Sequence, residues 1–300
     1  MTATVDAPYP VRCDLGEGPN WDIASARMTY VDIDAGTIHQ LDPATGSTTA
    51  TSVEPPISFI IPVAGESRWV GGTGADLTLF DADLAPIGRL VVEAGGPANR
   101  FNDGKADPAG RLWFGSMSLR RTPGDAAFYR LDAAGLTTIE SRATISNGLD
   151  WDVERQRMYY IDSIEQRIDV FSFDVTSGEV EDRRTFATID ADDGLPDGLT
   201  VDADGGVWVA LFRGGAVRRY DPDGALVETV HLPVTCPTCP VFGGDDLATM
   251  FVTTSRHRLT DAQRAEQPLA GALLVVDAGV RGRPGSSVSA SVAALIGGGE

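Results

Sequence analysis

Trp21-Asp22-Ile23-Ala24-Ser25-Ala26-Arg27-Met28-Thr29-Tyr30-Val31-Asp32 returns later in the chain as Trp151-Asp152-Val153-Glu154-Arg155-Gln156-Arg157-Met158-Tyr159-Tyr160-Ile161-Asp162. Each copy carries a polar turn into a strand of aromatic and β-branched residues. A tighter version appears as Ala106-Asp107-Pro108-Ala109-Gly110-Arg111-Leu112-Trp113-Phe114-Gly115 and as Val201-Asp202-Ala203-Asp204-Gly205-Gly206-Val207-Trp208-Val209-Ala210. Weaker copies lie around residues 63–70 and 242–252. The six turns fall near positions 22, 63, 107, 152, 202 and 243, a spacing of 41 to 50 residues. Units of that length, each made of several short antiparallel strands, define propeller blades. No stretch sustains a 3.6-residue apolar period, so helical solenoids of similar repeat length do not fit. The expected fold is all-β: one six-bladed β-propeller domain over residues 1–300 with a central channel able to bind metal. Residues 1–10 are expected either as an outer strand that closes the ring or as a loose tail. The stretch from Arg281 is expected as a last outer strand with a frayed end over residues 297–300.

Composition narrows the partners. The 300 residues contain 24 basic and 43 acidic side chains and carry a formal net charge of −19. Such a chain repels phosphate backbones and anionic membrane surfaces unless a local basic patch reverses the sign. The 23 arginines and the one lysine, Lys105, cluster no further than pairs such as Arg120-Arg121. Neither nucleic acid nor membrane is expected as a partner. The longest apolar run, residues 269–276, is far below the ~18 residues a membrane span requires. The first twenty residues lack a basic segment followed by an apolar one. Three cysteines, with Cys13 distant from Cys236 and Cys239, do not read as a disulfide framework. The expected location is cytoplasmic, and the expected state is a monomer or weak homo-oligomer.

The innermost strand of every blade runs along the channel, so equivalent positions converge there. Counting about five residues back from each turn reaches Glu17, Ser58, Asn102, Asn147, Asp197 and Thr238, all with a side-chain oxygen. Glycine stands near most of them, as in Asn147-Gly148 and Asp197-Gly198, where it permits close approach. Any one Asx-Gly pair is an ordinary turn former; their recurrence at one repeat position is what points to a site. Glu17, Asn102, Asn147 and Asp197 combine two carboxylates with two amide carbonyls, hard oxygen ligands for one divalent cation. Ca²⁺ suits them best, with Mg²⁺, Mn²⁺, Zn²⁺ or Fe²⁺ as alternatives.

At these residues the chain resembles the SMP-30/gluconolactonase/regucalcin-like family. The resemblance is carried by Leu15-Gly16-Glu17-Gly18-Pro19-Asn20-Trp21, by Arg100-Phe101-Asn102-Asp103-Gly104-Lys105 and its continuation to Met117, by Ser146-Asn147-Gly148-Leu149, by Pro196-Asp197-Gly198 and by Phe242-Gly243-Gly244. It implies one cation held by Glu17, Asn147 and Asp197, with Asn102 beside the metal or its substrate. It also implies hydrolysis of a sugar lactone, with Asp197 as the catalytic base and Arg100, Asn102 and Asp103 holding the substrate. The chemistry agrees, because a cation polarises the carbonyl of a cyclic ester while a carboxylate takes a proton from water. Read without the resemblance, Arg100 is equally well a salt-bridge partner across the channel mouth. After Met117, where relatives often place an acid, the chain reads Ser118-Leu119-Arg120-Arg121-Thr122, which leaves the sugar preference open and makes the mouth more cationic.

Two other readings stay open on the sequence: a metal-dependent phosphotriester hydrolase using the same channel, and a calcium-binding propeller without turnover. Cys236-x-x-Cys239, interrupted by Pro237 and lacking a second pair, reads as structural thiols. His39, His231 and His257 miss the channel-facing repeat position, and His257 reads as a surface or loop residue. Trp21, Trp113, Trp151 and Trp208 read as blade core. No Gly-x-Ser-x-Gly elbow, P-loop or Gly-x-Gly-x-x-Gly occurs.

Overall fold

The repeated aspartate-to-tryptophan spacing has a direct structural cause. Asp107 and Asp202 are fully buried; each accepts backbone N–H groups of its own turn with one oxygen and an indole N–H with the other. Trp113 Nε1 donates to Asp107 at 3.1 Å and Trp208 Nε1 donates to Asp202 at 2.9 Å. The carboxylate therefore closes the turn and satisfies the one polar atom of a large core side chain. Trp113 and Trp208 have no exposed surface, and Trp21 and Trp151 are also buried.

The computed structural model describes residues 4–93 and 98–298. They form six four-stranded antiparallel sheets. The innermost strands are Gly16–Asp22, Ile57–Pro62, Asn99–Ala106, Ser146–Asp152, Leu195–Val201 and Pro237–Gly243. Each touches the innermost strand of the next, and the sixth touches the first, so the circuit is a closed six-bladed β-propeller. Residues 4–10 of the amino-terminal segment supply the outermost strand of the sixth blade: Val5–Asp6 pairs with Leu274–Asp277, with Val5 opposite Val276. Met1 to Ala3 lie outside the described residues.

Second strands are apolar on both faces because blades flank them on both sides. In Val207–Phe212 of the fifth blade, Val207, Val209 and Leu211 pack with Tyr159, Ile161 and Ile168 of the fourth. The alternate residues Trp208 and Ala210 pack with Phe242, Met250 and Val252 of the sixth. Period-two alternation is thus present but hidden, since both of its phases are buried.

The carboxyl-terminal stretch corrects one expectation. Instead of an outer strand, Ala290–Ile296 is an α-helix capped by Ser289, whose hydroxyl accepts from Val292 N. Val292, Ala293 and Ile296 form its buried stripe against Ile61, Leu77 and Leu79 of the second blade. The spacing i, i+1, i+4 gives a helix one apolar face, and two turns were too short to show a period in the sequence. Leading into it, Ala203 N donates to Arg281 O, Ser289 N to Gly110 O and Ala64 N to Val288 O. Arg283 donates to Asp152 at 3.1 Å. The segment therefore runs across the repeated turns, on the side of the propeller away from the candidate site. Of the expected frayed end, Gly299 and Glu300 lie outside the described residues. No helix among the described residues is long and apolar enough to cross a membrane.

Candidate functional site

Every innermost strand breaks its ladder near its start. Pairing slips between Glu17 and Asn20, Ile57 and Ile60, Phe101 and Gly104, Ser146 and Leu149, Pro196 and Leu199, and Pro237 and Pro240. A bulge frees a residue from the ladder and turns its side chain. Glu17, Ser58, Asn102, Asn147, Asp197 and Thr238 stand at or inside these six bulges, and all are buried. The glycine that follows allows the inner strands to meet: a Cβ on Gly148 would lie 2.6 Å from Asp197 O. Gly198 likewise faces the side chain of Cys239, so that cysteine fills space in the ring. All three cysteines are free and buried.

Hydrogen bonding sorts the six positions into different roles. Ser58 Oγ donates to Phe101 O and Thr238 Oγ1 to Gly16 O, both at 2.6 Å, so these hydroxyls tie one blade to the next. Asn102 Nδ2 donates to Ser146 O at 2.9 Å, and its Oδ1 accepts from Arg100 at 2.8 Å. Asn102, expected among the cation ligands, therefore has its amide oxygen engaged by a guanidinium and serves to hold Arg100. Arg100 donates also to Phe101 O at 2.7 Å and makes no ion pair among the described residues, so it is not a salt bridge across the mouth.

Asn147 differs. Its Nδ2 donates to Ser163 Oγ at 2.9 Å, and that hydroxyl donates to Pro196 O at 2.7 Å. Because Ser163 spends its proton on the carbonyl, only the amide NH₂ can approach it, which turns Asn147 Oδ1 into the channel. There Oδ1 is buried and has no partner. Two aspartates aim these strands. Asp32 accepts from Asp14 N and Leu15 N just ahead of Glu17. Asp162 accepts from Thr144 N and Ile145 N just ahead of Asn147. This explains why both long copies of the repeat end in aspartate.

The electrostatics are those of an acceptor cluster short of positive charge. Burial, with Asp197 and then Asp103 nearby, pushes the Glu17 carboxyl well above the usual range. Burial and Asp103 do the same to Asp197. Asp103, pushed up by burial to about 6 against the pull of Lys105 and Arg100, faces a different space. It lines a small gap deeper in the channel with Lys105, Leu149 and Cys239, and it is not in the wall of the cleft that contains Glu17 and Asp197. Asp103 thus stays close enough to act on the charges of Arg100, Glu17 and Asp197 without sharing the cleft wall that Arg100 and Asn102 line. Among the described residues no three His, Cys, Asp or Glu side chains come together as a ligand set, so a cation would rely on Glu17, Asp197 and the amide oxygen of Asn147. Two carboxylates that resist ionisation and one unpartnered buried carbonyl fit a hard divalent cation.

The cleft above these residues measures about 200 Å³. Its rim comes from the loops joining second and third strands, on the face opposite the repeated turns: Asp34, Leu119, Arg121, Ser163, Arg213 and His257. His257, expected as a surface or loop residue, is in this rim. Its Nδ1 meets Asp34 at 2.7 Å and its Nε2 accepts from Arg258 at 2.8 Å. Arg213, Arg258, His257 and Asp34 were not legible as site residues, because the loops that carry them do not repeat.

A six-bladed propeller whose channel gathers two carboxylates, an amide oxygen and an arginine under one cleft defines a class of propellers with a polar axial site. The sequence profile described as "SMP-30/Gluconolactonase/LRE-like region" matches residues 15–256, and the chain belongs to that family. It is 38% identical over 284 residues to a Bacillus subtilis protein provisionally named sugar lactone lactonase YvrE, covering 91% of this chain and 94% of that one. Among solved structures, a luciferin-regenerating enzyme is 31% identical with a TM-score of 0.89, over 96% of this chain and 99% of that one. A regucalcin of Agrobacterium tumefaciens, described as a calcium-binding protein, is 26% identical with a TM-score of 0.88, over 96% and 98%.

Proposed function

We propose that the protein hydrolyses sugar lactones to aldonic acids at a divalent cation held by Glu17, Asn147 and Asp197. The observation that carries this reading is the buried, unpartnered Oδ1 of Asn147 beside two carboxyls of raised proton affinity. Similarity to a protein named for sugar lactone hydrolysis supports the reaction class, and similarity to a regucalcin described as calcium-binding supports Ca²⁺.

When bound, the cation would withdraw charge from the lactone carbonyl and stabilise negative charge developing on its oxygen. Asp197 accepts a proton from water as the water oxygen bonds to the carbonyl carbon. Its burial beside Asp103 offsets the loss of basicity that a bound cation would impose on a ligating carboxylate. The ring C–O bond breaks, the proton passes to the departing ring oxygen, and the open hydroxy acid results. Arg100, fixed by Phe101 O and Asn102 Oδ1, presents its remaining N–H groups to substrate hydroxyls. Leu119 and Phe212 give the cleft wall apolar surface beside the ester.

The test follows acid release from aldono-1,4- and 1,5-lactones by protein stripped with chelator and resupplied with Ca²⁺, Mg²⁺, Mn²⁺, Zn²⁺ or Fe²⁺. Cation-restored turnover that is lost in Asp197→Asn supports the reading. Cation binding without turnover of any lactone overturns it and leaves a calcium-binding propeller.

A further inference from the structure

Three arginines converge on the cleft from three different blades. Arg121 comes from the third, Arg213 from the fifth and Arg258 from the sixth. None of them pairs with a carboxylate among the described residues, although acidic side chains outnumber basic ones 43 to 24. Elsewhere many arginines find acids, as Arg111 finds Asp107 and Arg219 finds Asp202, while others such as Arg120 and Arg184 do not among the described residues, so what counts here is that three without an acid partner line one cleft. All three mouth arginines also have left-handed backbone, with φ of 56°, 67° and 61°. For a residue with a Cβ that conformation is costly. Ala26, Leu84 and other non-glycine residues at turns share that conformation, so what marks these three is that one residue type recurs around one rim.

Arginine only donates hydrogen bonds. A neutral sugar presents hydroxyls that donate as well as accept, and the one acceptor carboxylate on this rim, Asp34, is already engaged by His257. The rim of the cleft therefore favours a group that only accepts. It also reverses, locally, the sign of a chain with net charge −19.

We infer that Arg121, Arg213 and Arg258 bind an anionic substituent on the end of the substrate remote from the lactone carbonyl, so the preferred substrates are acidic sugar lactones. This rests on the proposed lactone hydrolysis. The carbonyl sits at Glu17, Asn147 and Asp197, and the anion sits at the rim. A terminal carboxylate and a terminal phosphate share the required chemistry, planar or tetrahedral oxygens that accept paired guanidinium N–H groups.

The experiment compares kcat/KM for glucono-1,5-lactone, for the lactone of the same skeleton ending in a carboxylate, and for its 6-phosphate, in wild type and in Arg213→Gly and Arg258→Gly. Glycine removes the charge and suits the left-handed backbone, so melting temperatures are expected to hold or rise, which excludes loss of fold. The acidic substrates are expected to exceed the neutral one, and each substitution is expected to cut the acidic-to-neutral ratio by about 10-fold or more, the scale of one charge-assisted hydrogen bond. The two acidic arms show which anion is preferred. A ratio near one in wild type, or a ratio unmoved by both substitutions, overturns the inference while leaving lactone hydrolysis intact. If no lactone turns over, calorimetric binding of the open-chain acids glucarate, 6-phosphogluconate and gluconate decides. Tighter binding of the first two that is lost in the glycine variants sustains the anion site, and equal binding of all three overturns it.

Discussion

Ser163 joins Asn147 to the residue preceding Asp197: it accepts from Asn147 Nδ2 at 2.9 Å and donates to Pro196 O at 2.7 Å. One hydroxyl thereby fixes an amide of the fourth blade against the inner strand of the fifth, and it sets which atom of that amide faces the channel. Ser163→Ala leaves the amide free to rotate. Cation affinity, read by calorimetric titration of chelated protein with Ca²⁺, is expected to fall about 10- to 100-fold, the usual effect of removing a group that orients a ligand. Unchanged affinity would show that Asn147 Oδ1 is not a ligand.

Cation binding is expected to stabilise the fold, since it relieves Glu17 and Asp197 of their mutual repulsion. At a free concentration a hundred times Kd the gain is about 2.7 kcal/mol. Thermal melts of chelated protein with and without Ca²⁺ measure it, and Asn147→Ala and Asp197→Ala should each abolish most of the shift.

Asp202 and Asp22 occupy the same repeat position, but only Asp202 is fully buried, where it holds Trp208, Arg219 and two backbone N–H groups. Asp202→Ala leaves those donors without an acceptor, at about 3–5 kcal/mol. Asp22 accepts from Ala24 N and Ser25 at the surface, and Asp22→Ala should cost no more than about 1 kcal/mol. Urea unfolding of the pair reads the difference directly.

His39 stacks on Tyr30 at 4.9 Å between ring centroids, with Nδ1 buried and unpartnered. Burial lowers its pKa below 6.5, against a smaller opposing effect of Asp32. The unfolded chain then binds more protons, so stability holds above about pH 6.5 and falls as pH drops toward the folded-state pKa, by at most about 1.4 kcal/mol per pH unit. His39→Phe keeps the stacking and should flatten that part of the profile. Urea midpoints at pH 7.5 and 5.5 give the comparison, and an identical slope in the variant would locate the titration elsewhere.

The blades were legible because turn chemistry repeats: a buried aspartate that must close a hairpin and satisfy a tryptophan admits few substitutes, so Asp107 and Trp113 announce themselves. The channel positions were legible for the same reason, one bulge per inner strand at a constant distance from the turn. What the repeat did not encode was which oxygen each position leaves free. Asn102 and Asn147 look alike in sequence, and only the neighbours Arg100 and Ser163 distinguish a holder from a candidate ligand. Asp103, one residue further along its bulge, faces the deeper gap. Of the rim, only the cationic stretch after Met117 was legible; Arg213, His257 and Arg258 were not, because they come from loops between second and third strands, on the face away from the repeated turns.

Val5 lies opposite Val276 in the last sheet, which sets an order of events during synthesis. The first five blades are complete within residues 16–231, and each can pair its own strands as they emerge from the ribosome. The sixth cannot finish until its third strand, Leu274–Asp277, has been made. Until then Val5–Asp6 waits unpaired and the final edge stays open to strands of another chain. The ring is sealed by pairing a strand that precedes the first blade with one that follows the fifth.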